Sequence, residues 1–579
     1  MINRRQRENT EIIQHKPLHI FFFSHFSRII IWRNGNKYLP LHSEINHNYY
    51  LKMKNVSKSF LLSMLLYVAV VPTKADDIAK VTVGLTLDST VVEADCQEFG
   101  RRLDDIVITP SQDYMLLKFR DLTKDGKWIK FKGELGAYSL KESKLLWTKP
   151  FDYSNSAAIC TKDGILTVKN NNKVTMLNSH TGEVIWQSKF YPAKVDDSTH
   201  IVLGYAGRLS GKLSAYDLTS GQKLWTANIP HVKNWGWNHV IREDSLHWLV
   251  VADDLNRLNI HTGEVSTYDA KTGVTDVKAS LLMGLAMVGG AVAGAMISGS
   301  TYVPYYYNPS GMTDSNVINH LYSNVLRDDS LYYFADRQHV VCLDSMMNTV
   351  WSYDLPSKTS AFSQIVCDDS TLYMFNLGFG MQDGVRRKKM GRPFIASFDK
   401  RTGACRFMNM LSMKKDMVED AMLTPDGAFM LFDDALAYKR ELADSVVTIS
   451  PWNVEQHGKL SGIITQPVYA DYKYHGMFEL IASDGIYFPV ITEKGDILMV
   501  DKELRTADHY PASSLYWPLC MVGDRMCISS YAGGSQNVWL VTLQGVPELK
   551  LTIPVHRAGI AGNKLYLHNE RALYSIPLN

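Results

Sequence analysis

The cysteines and a short acidic segment are the parts of this 579-residue sequence that come nearest to a chemical site. Cys520 and Cys527 are close enough for a disulfide across a hairpin, and buried free thiols are an equally good interpretation. The segment Asp121-Leu-Thr-Lys-Asp-Gly-Lys127 resembles the start of a calcium-binding loop, but Lys132 stands where such a loop needs a Glu, which favours a hairpin turn. The seven cysteines are all separated along the chain, at Cys96, Cys160, Cys342, Cys367, Cys405, Cys520 and Cys527.

Motifs for other chemistry are missing from the sequence. It has no His-Glu-x-x-His, no Gly-x-Ser-x-Gly, no phosphate-binding glycine loop and no Cys-x-x-Cys-His haem motif. The 18 histidines are scattered without the spacing of metal ligands. We therefore predict no catalytic residues, no metal ligands and no cofactor.

Two aromatic segments are candidates for contact with a partner. One is the Tyr302–Pro309 segment, which places Tyr302, Tyr305, Tyr306 and Tyr307 together, and exposed tyrosine clusters suit protein or glycan contacts. The other holds Trp235 and Trp237. Packing inside the fold is the alternative for both segments.

An uncharged stretch from Ser280 to Ser300 precedes the tyrosines. Ala286, Gly290, Gly294 and Ser298 recur every four residues, so on a helix they form one face of small residues. A packed insertion helix, a docking helix and a membrane span all fit this pattern, and membrane contact through 280–300 stays open. Further on, Arg386-Arg-Lys-Lys389 is predicted to be a solvated hairpin loop.

The elements that would position these residues come from an internal repeat. Lys173 to Trp186 is closely echoed by Gly211 to Trp225, with shorter copies ending at Trp147, Tyr268 and Trp351. The first four aromatic residues lie 39, 39 and 43 residues apart, and Trp351 follows 83 residues later, close to two periods. A period of about forty residues is typical of propellers and solenoids.

Each copy predicts short strands rather than helices. Runs such as Leu213-Ser-Ala-Tyr-Asp-Leu alternate with period two, and a glycine turn follows before a strand that ends in a large aromatic residue. Glycine suits such a turn because it adopts positive φ without a Cβ clash. The residues assigned to this structural role are Trp147, Gly182, Trp186, Gly221, Trp225, Gly263, Trp351 and Gly403.

These residues resemble the PQQ-like (quinoprotein-like) β-propeller repeat family. Its hallmark is a strand carrying Leu/Tyr-Asp, then Thr-Gly-Glu/Lys, then a strand ending in Trp, and the fullest matches are Leu177 to Trp186 and Tyr216 to Trp225. The resemblance implies an all-β propeller of seven or eight four-stranded blades, with eight favoured. PQQ-dependent dehydrogenases share the repeat, but the adjacent-cysteine disulfide found in many of them is absent here.

The N-terminal region predicts an export signal. Lys54 and Lys58 precede an apolar run from Phe60 to Val71, and small residues follow before Asp76, the expected mature start. Because such signals act at the chain start, residues 1–52 are interpreted as a doubtful extension from a mis-assigned start, with 53–75 as the signal peptide. Residues 76–579 then form the propeller, with an insertion at about 272–325.

Charge narrows the range of partners. The whole chain has a net charge of +2, but residues 1–75 hold eleven basic and three acidic side chains, which leaves the remainder at −6. A mildly acidic exported protein is a poor candidate for binding nucleic acid or anionic lipid.

The sequence therefore predicts a non-catalytic scaffold that binds envelope proteins in the periplasm or at the outer membrane of a Gram-negative bacterium. Similarity to the propeller of the outer-membrane β-barrel assembly machinery implies this role, although no lipid-attachment Cys is present and a lipoprotein is not expected. A small-ligand or carbohydrate-binding propeller and a degenerate PQQ-dependent dehydrogenase are the alternatives. The oligomeric state stays open.

Overall fold

The computed structural model describes residues 78–170, 172–207, 210–230, 239–275, 317–382, 386–411, 417–424, 427–440, 448–471, 477–530 and 537–578. Most of these residues lie in antiparallel strands and the turns that join them. Two helical segments occur in this part of the chain, α1 (Val454–His457) and a 3₁₀ turn (Ala512–Ser514). No helix in the described ranges has the length and apolar character needed to cross a bilayer.

An antiparallel hairpin and four separate four-stranded sheets make up the first part of the fold. The hairpin is β1 (Ile78–Thr86) and β2 (Val91–Glu98). Sheets 1 to 4 consist of β3 (Leu103–Ile108), β4 (Tyr114–Phe119), β5 (Lys132–Ser139) and β6 (Lys144–Asp152); β7 (Ser156–Cys160), β8 (Ile165–Lys169), β9 (Lys173–Leu177) and β10 (Val184–Lys189); β11 (Tyr191–Asp196), β12 (Ile201–Tyr205), β13 (Lys212–Asp217) and β14 (Lys223–Asn228); and β15 (His239–Arg242), β16 (His247–Val251), β17 (Leu255–Asn259) and β18 (Val265–Tyr268).

The middle of the chain forms sheets 5 to 8, an accessory sheet and an extra hairpin. The strands in chain order are β19 (Val274–Thr275), β20 (Val317–Asn319), β21 (Leu326–Asp328), β22 (Leu331–Ala335), β23 (His339–Leu343), β24 (Thr349–Asp354), β25 (Ser363–Cys367), β26 (Thr371–Asn376), β27 (Phe379–Gln382), β28 (Arg386–Lys389), β29 (Phe394–Asp399), β30 (Cys405–Met410), β31 (Asp420–Thr424), β32 (Gly427–Leu431), β33 (Ala435–Arg440), β34 (Thr448–Pro451), β35 (Leu460–Ile463), β36 (Val468–Asp471), β37 (Phe478–Ile481), β38 (Tyr487–Thr492), β39 (Ile497–Asp501) and β40 (Thr506–Tyr510). Sheet 5 is β21–β24, sheet 6 is β25, β26, β29 and β30, sheet 7 is β31–β34, and sheet 8 is β35 with β38–β40. The accessory sheet is β19, β20, β27 and β28.

The last strands join the first two in one eleven-stranded sheet, ordered β37-β36-β41-β42-β43-β44-β1-β2-β47-β46-β45. Its remaining strands are β41 (Leu515–Val522), β42 (Arg525–Ser530), β43 (Asn537–Thr542), β44 (Pro547–Leu551), β45 (Arg557–Ala561), β46 (Lys564–His568) and β47 (Ala572–Pro577). Two further four-stranded groups lie within it, β41–β44 (sheet 9) and β45–β47 with β2 (sheet 10).

The inner strands of a sheet are buried on both faces because a sheet packs on each side of them. In sheet 3, all five residues of β12 are buried. Ile201 and Leu203 belong to the apolar cluster shared with sheet 4, while Val202 belongs to the cluster shared with sheet 2. Alternate side chains of one strand therefore serve two different neighbours.

The series of packed sheets closes on itself. Ala561, Tyr566 and Leu573 of sheet 10 share one apolar cluster with Leu103 and other residues of sheet 1. In sheet 10, β2 pairs with β47 through Asp95 and Ser575. A strand from the start of the described chain therefore completes a four-stranded group with the C-terminal strands, and the described residues form an all-β propeller.

The four-stranded units predicted for the blades are present in the described residues, as sheets 1 to 10 and the accessory sheet. The number of blades, seven or eight, stays a prediction. Links between sheets can be very short, since only one residue separates Lys189 at the end of sheet 2 from Tyr191 at the start of sheet 3.

The connections of each sheet fall at two ends, because its four strands alternate in direction. At one end, here called the turn face, lie the first-to-second and third-to-fourth connections, including the Thr-Gly turns. At the other, the linker face, lie the second-to-third connections and the links to the next sheet. The fourth strand returns to the end where the first began, so short links keep successive sheets in the same orientation.

The accessory sheet lies at the linker face. Strands β19 and β20 interrupt the link from sheet 4 to sheet 5, within the predicted insertion at 272–325, whereas β27 and β28 interrupt the second-to-third connection of sheet 6. Ile318 of β20 pairs with Gln382 of β27, which joins the two interruptions. The basic run 386–389 was expected in a loop; it forms β28 instead, because Phe379 to Gln382 offers it a partner strand.

Candidate functional site

The repeat tryptophans lie against the turn of the following sheet. A Cβ on the turn glycine would come within 2.8 Å or less of the tryptophan ring in every pair, so only glycine permits this contact. The indole Nε1 also donates to a backbone carbonyl of the next sheet, as from Trp186 to Leu218 at 2.9 Å. The four pairs are Trp147–Gly182, Trp186–Gly221, Trp225–Gly263 and Trp351–Gly403.

The same turns are fixed by an Asp or Asn at their start. In sheet 3, Asp217 Oδ1 accepts from the backbone N–H groups of Thr219 at 3.1 Å and Ser220 at 2.7 Å. Gly221 then takes φ +71°, and its N–H donates to the Asp217 carbonyl at 2.8 Å. These residues hold neighbouring sheets together and leave no open site at the turn.

The group Glu243, Asp244 and His247 brings three potential metal ligands within 4.8 Å of one another, and no other such group occurs in the described ranges. Glu243 is nonetheless occupied by cations. Its carboxylate binds Arg257 Nε at 2.9 Å and Arg327 Nη1 at 3.0 Å.

Glu243 also links two sheets. Arg257 belongs to sheet 4 and Arg327 to sheet 5, and the Tyr332 hydroxyl of sheet 5 donates to the same carboxylate. Burial first, and then the hydrogen bond to Glu243, raise the pKa of Tyr332 to about 12. The cluster therefore acts as an ion-pair network between sheets, with Glu243 buried and Arg327 47% exposed, and its positive charges oppose a bound cation.

A cleft of about 310 Å³ opens at the linker face between sheets 10 and 1. Two of its arginines are ion-paired; Arg102 binds Asp104 at 2.9 Å and Glu570 at 3.4 Å. Glu98, Gly100, Arg101 and Arg571 complete the lining. The guanidinium groups of Arg101 and Arg102 are thus already engaged by carboxylates of the protein.

The extra hairpin β36–β37 stands at the turn face, between the first and second strands of sheet 8. It is bound to sheet 9, because Tyr469 pairs with Tyr516 and the Tyr469 hydroxyl donates to the Leu543 carbonyl at 3.2 Å. The Phe478 ring lies 4.9 Å from that of Tyr516. The hairpin is therefore firmly packed along β36.

The outer side of this hairpin is apolar and exposed. Strand β37 is the end strand of the eleven-stranded sheet among the described residues. Met477 is 60% exposed beside it, and Ile486 is 59% exposed at the start of β38. The exposed set, here called the hairpin surface, is Met477, Leu480, Ile486, Tyr487, Leu543 and Val546.

Comparison with known proteins identifies the repeat. The family model described as outer membrane protein assembly factor BamB matches residues 130–353. Over these residues the chain is similar to this family, and the repeat is of the PQQ-like β-propeller type. The match includes all four tryptophans of the Trp–Gly pairs and extends from β5 to β24.

Two solved structures are similar to this PQQ-like propeller. BamB from Moraxella catarrhalis shares 13% identity and covers 68% of this chain and 96% of its own, with a TM-score of 0.29. The dihydro-heme d1 dehydrogenase NirN, in complex with DHE, shares 9% identity and covers 80% of this chain and 85% of its own, with a TM-score of 0.30. No curated protein matches the sequence.

The aromatic residues predicted to contact a partner lie outside the described residues. Tyr302, Tyr305, Tyr306 and Tyr307 fall there, as do Trp235, Trp237 and the small-residue stretch 280–300. Sequence reasoning missed the hairpin surface. The available signal was the interval from Ile463 to Tyr487, which is too long for a turn between two strands of one sheet.

Cys520 and Cys527 face each other across β41 and β42. Both thiols are free and lie in one apolar cluster, with Cys527 fully buried. A hydrogen bond between the thiols lowers the pKa of Cys520 and, with burial, raises that of Cys527 well above its ordinary value. The two side chains are therefore adjacent on one face of sheet 9.

We expect oxidised glutathione to convert this pair into an intramolecular disulfide. The two thiols are oxidised to one disulfide, and the reagent is reduced to two molecules of glutathione. Because the bond closes a short loop, it adds about 2 kcal/mol or less to the free energy of unfolding. Alkylation of the denatured protein followed by peptide mass spectrometry measures the bond. Cys342 and Cys367, which belong to different sheets, serve as controls; full alkylation of Cys520 and Cys527 after oxidation would contradict the prediction.

Because His568 of β46 is buried in its neutral form, we expect the folded protein to lose stability at acidic pH. The histidine is 1% exposed, and burial lowers its pKa from 6.5 to about 4. Between these values the unfolded chain binds a proton that the folded chain excludes, so stability falls as pH decreases through this window. The loss reaches about 2–3 kcal/mol near pH 4.5.

Urea unfolding of the wild type and His568→Gln at neutral pH and near pH 4.5 measures this effect. We expect the substitution to reduce the pH dependence by that amount, while His261→Gln, at an exposed turn, leaves it unchanged. Equal pH slopes for the wild type and His568→Gln would show that the histidine is protonated inside the fold.

Proposed function

We propose that this protein is a non-catalytic, exported propeller scaffold that binds another protein of the cell envelope. The observation that carries the proposal is the hairpin surface, an exposed apolar patch beside an end strand on a rigid all-β support. The family model supports the same role, because it is described by an outer membrane protein assembly factor.

The expected partner segment is an extended strand with apolar side chains. An end strand presents backbone N–H and C=O groups that a further strand can pair with, and alternate side chains of the added strand can then enter neighbouring pockets. Met477, directly before β37, and Leu480, within it, are exposed and would pack against such a strand. Leu543 and Val546 extend the apolar area to the adjacent turn of sheet 9.

Site-specific photocrosslinking in cells tests this role. A photoreactive amino acid at Leu480 should give a discrete crosslink to one envelope protein, and Met477→Asp should abolish it by placing a charge in the contact. The matched control is the same amino acid at Leu224, which is 51% exposed on sheet 3. Identical crosslink patterns from both positions would overturn the proposal.

The absence of catalysis needs a separate test. After incubation with PQQ and Ca²⁺, the protein should reduce no dye with alcohols or sugars, since the sequence lacks the motifs expected for that chemistry. Turnover that depends on PQQ would contradict the proposed scaffold function and indicate a quinoprotein dehydrogenase.

Export is tested by N-terminal sequencing of the protein from the periplasmic fraction. We expect a mature start near Asp76. Recovery of the protein only from the cytoplasm, with residues 53–75 still attached, would refute export.

A further inference from the structure

The connection between β4 and β5 extends beyond sheet 1 as a small hairpin, here called the arm (residues 120–132). Leu122 and Ile129 pair across it. Thr123 N–H donates to the Trp128 carbonyl at 2.7 Å, and the chain reverses at Gly126 with φ +70°. The arm therefore has a fixed backbone and lies at the linker face, as every second-to-third connection does.

Arg120 anchors the base of the arm. It is 6% exposed, its Nε donates to the Lys130 carbonyl at 2.9 Å, and its Nη1 binds Asp104 at 3.1 Å. The guanidinium also lies 5.1 Å from the ring centre of Tyr153, whose N–H donates to the Phe131 carbonyl. These contacts join both ends of the arm to sheet 1.

The arm exposes large apolar side chains. Trp128 is 64% exposed, the highest value among the large apolar residues in the described ranges, and Phe131 is 50% exposed. Leu122 is also exposed. None of these side chains contributes to an apolar cluster of the described fold, so burying them on a partner would be favourable.

Lysines surround these apolar residues. Lys124, Lys127, Lys130 and Lys132 are all exposed, against two acidic side chains, Asp121 and Asp125. Asp125 accepts from the Thr123 hydroxyl and the Lys127 N–H within the arm, and Asp121 lies 3.7 Å from Lys130. The exposed arm thus carries a local net positive charge. The acidic net charge of the predicted mature chain disfavours contact with anionic lipid for the chain as a whole, and the arm is the place where that sign is reversed.

We propose that the arm docks the propeller onto an anionic phospholipid surface. Trp and Phe insert at the level of the lipid headgroups, and lysines beside them attract anionic lipid. One membrane-binding signal alone gives only marginal attachment, whereas an apolar and a basic signal together bind more firmly, and the arm supplies both. The basic strand β28 also lies at the linker face, but its Arg387 is paired with Glu419 at 2.6 Å, so the proposal rests on the arm.

This attachment leaves the turn face directed away from the bilayer. The hairpin surface lies there, so lipid and protein partners would bind at opposite faces. The lipid assignment stands on the arm alone and does not depend on the proposed protein partner.

Vesicle co-sedimentation of the full chain, as isolated from cells, tests the proposal. Vesicles of phosphatidylethanolamine with phosphatidylglycerol should bind the protein, and vesicles of phosphatidylcholine alone should bind it weakly. Trp128→Ala/Phe131→Ala and Lys124→Glu/Lys127→Glu should each weaken binding about tenfold. Binding should also weaken as salt rises.

Matched controls separate the arm from the rest of the surface. Ile185→Ala/Leu224→Ala removes two exposed apolar side chains elsewhere, and Lys141→Glu/Lys223→Glu reverses two charges at the turn face. Both controls should bind as the wild type does, and thermal unfolding should show that all variants fold. Absence of binding to anionic vesicles overturns the proposal, as does equal weakening by arm and control variants; capture of a protein by the arm without vesicle binding overturns it too.

Discussion

Trp186→Ala should lower the free energy of unfolding by about 3–5 kcal/mol, the usual cost of removing a large buried aromatic side chain. The ring fills the space above Gly221 in the next sheet, and its Nε1 loses the hydrogen bond to the Leu218 carbonyl. Because the tryptophan joins two sheets, its loss weakens their packing as well as its own strand. Chemical denaturation followed by circular dichroism measures the change.

Trp128→Ala is the matched control, since it removes the same side chain from the exposed arm. We expect it to change stability by no more than about 0.5 kcal/mol. If the two variants were equally stable, the contact between Trp186 and Gly221 would contribute nothing to the fold.

Glu243→Ala should destabilise the propeller by about 3 kcal/mol, because it leaves the largely buried Arg257 without its counter-ion, whereas Arg327, which is 47% exposed, can be solvated. The Glu243 side chain is 1% exposed, so water cannot replace the carboxylate. Tyr332, itself buried, loses its acceptor as well. Urea denaturation at neutral pH gives the difference in unfolding free energy.

Glu548→Ala provides the comparison for a solvated pair. Glu548 binds Arg525 at 2.8 Å, with both side chains 33% exposed, and its removal should cost no more than about 1 kcal/mol. A loss at Glu243 as small as that at Glu548 would mean that the two arginines find other partners between sheets 4 and 5.

The repeat could be predicted from the sequence because its signals are local. Period-two strands, the Thr-Gly turns and the recurrent aromatic residue sit within fifteen residues of one another in each copy. The glycine turns expected between the strands appear at Gly182, Gly221 and Gly263, each with positive φ.

The features that could not be predicted from the sequence depend on contacts between residues that are far apart in the chain. Nothing in Phe379 to Lys389 indicates that this segment pairs with β20, more than fifty residues earlier. Glu243 looks like a surface acid until Arg257 and Arg327 are brought to it. The arm was recognised only as a turn, because exposure of Trp128 and Phe131 is a property of the folded surface that a pattern of residue types does not carry.

Pairing of β2 with β47 makes the order of synthesis matter. Strand β2, which completes sheet 10, is synthesised early. Its edge facing β47 has no partner strand until residues 572–577 have been synthesised. A chain that stops or is cut before this point leaves a strand edge open, and open edges promote aggregation and proteolysis. Pairing of β2 with β47 therefore distinguishes full-length chains from incomplete ones, and an unpaired β2 edge would make an incomplete chain a target for proteolysis.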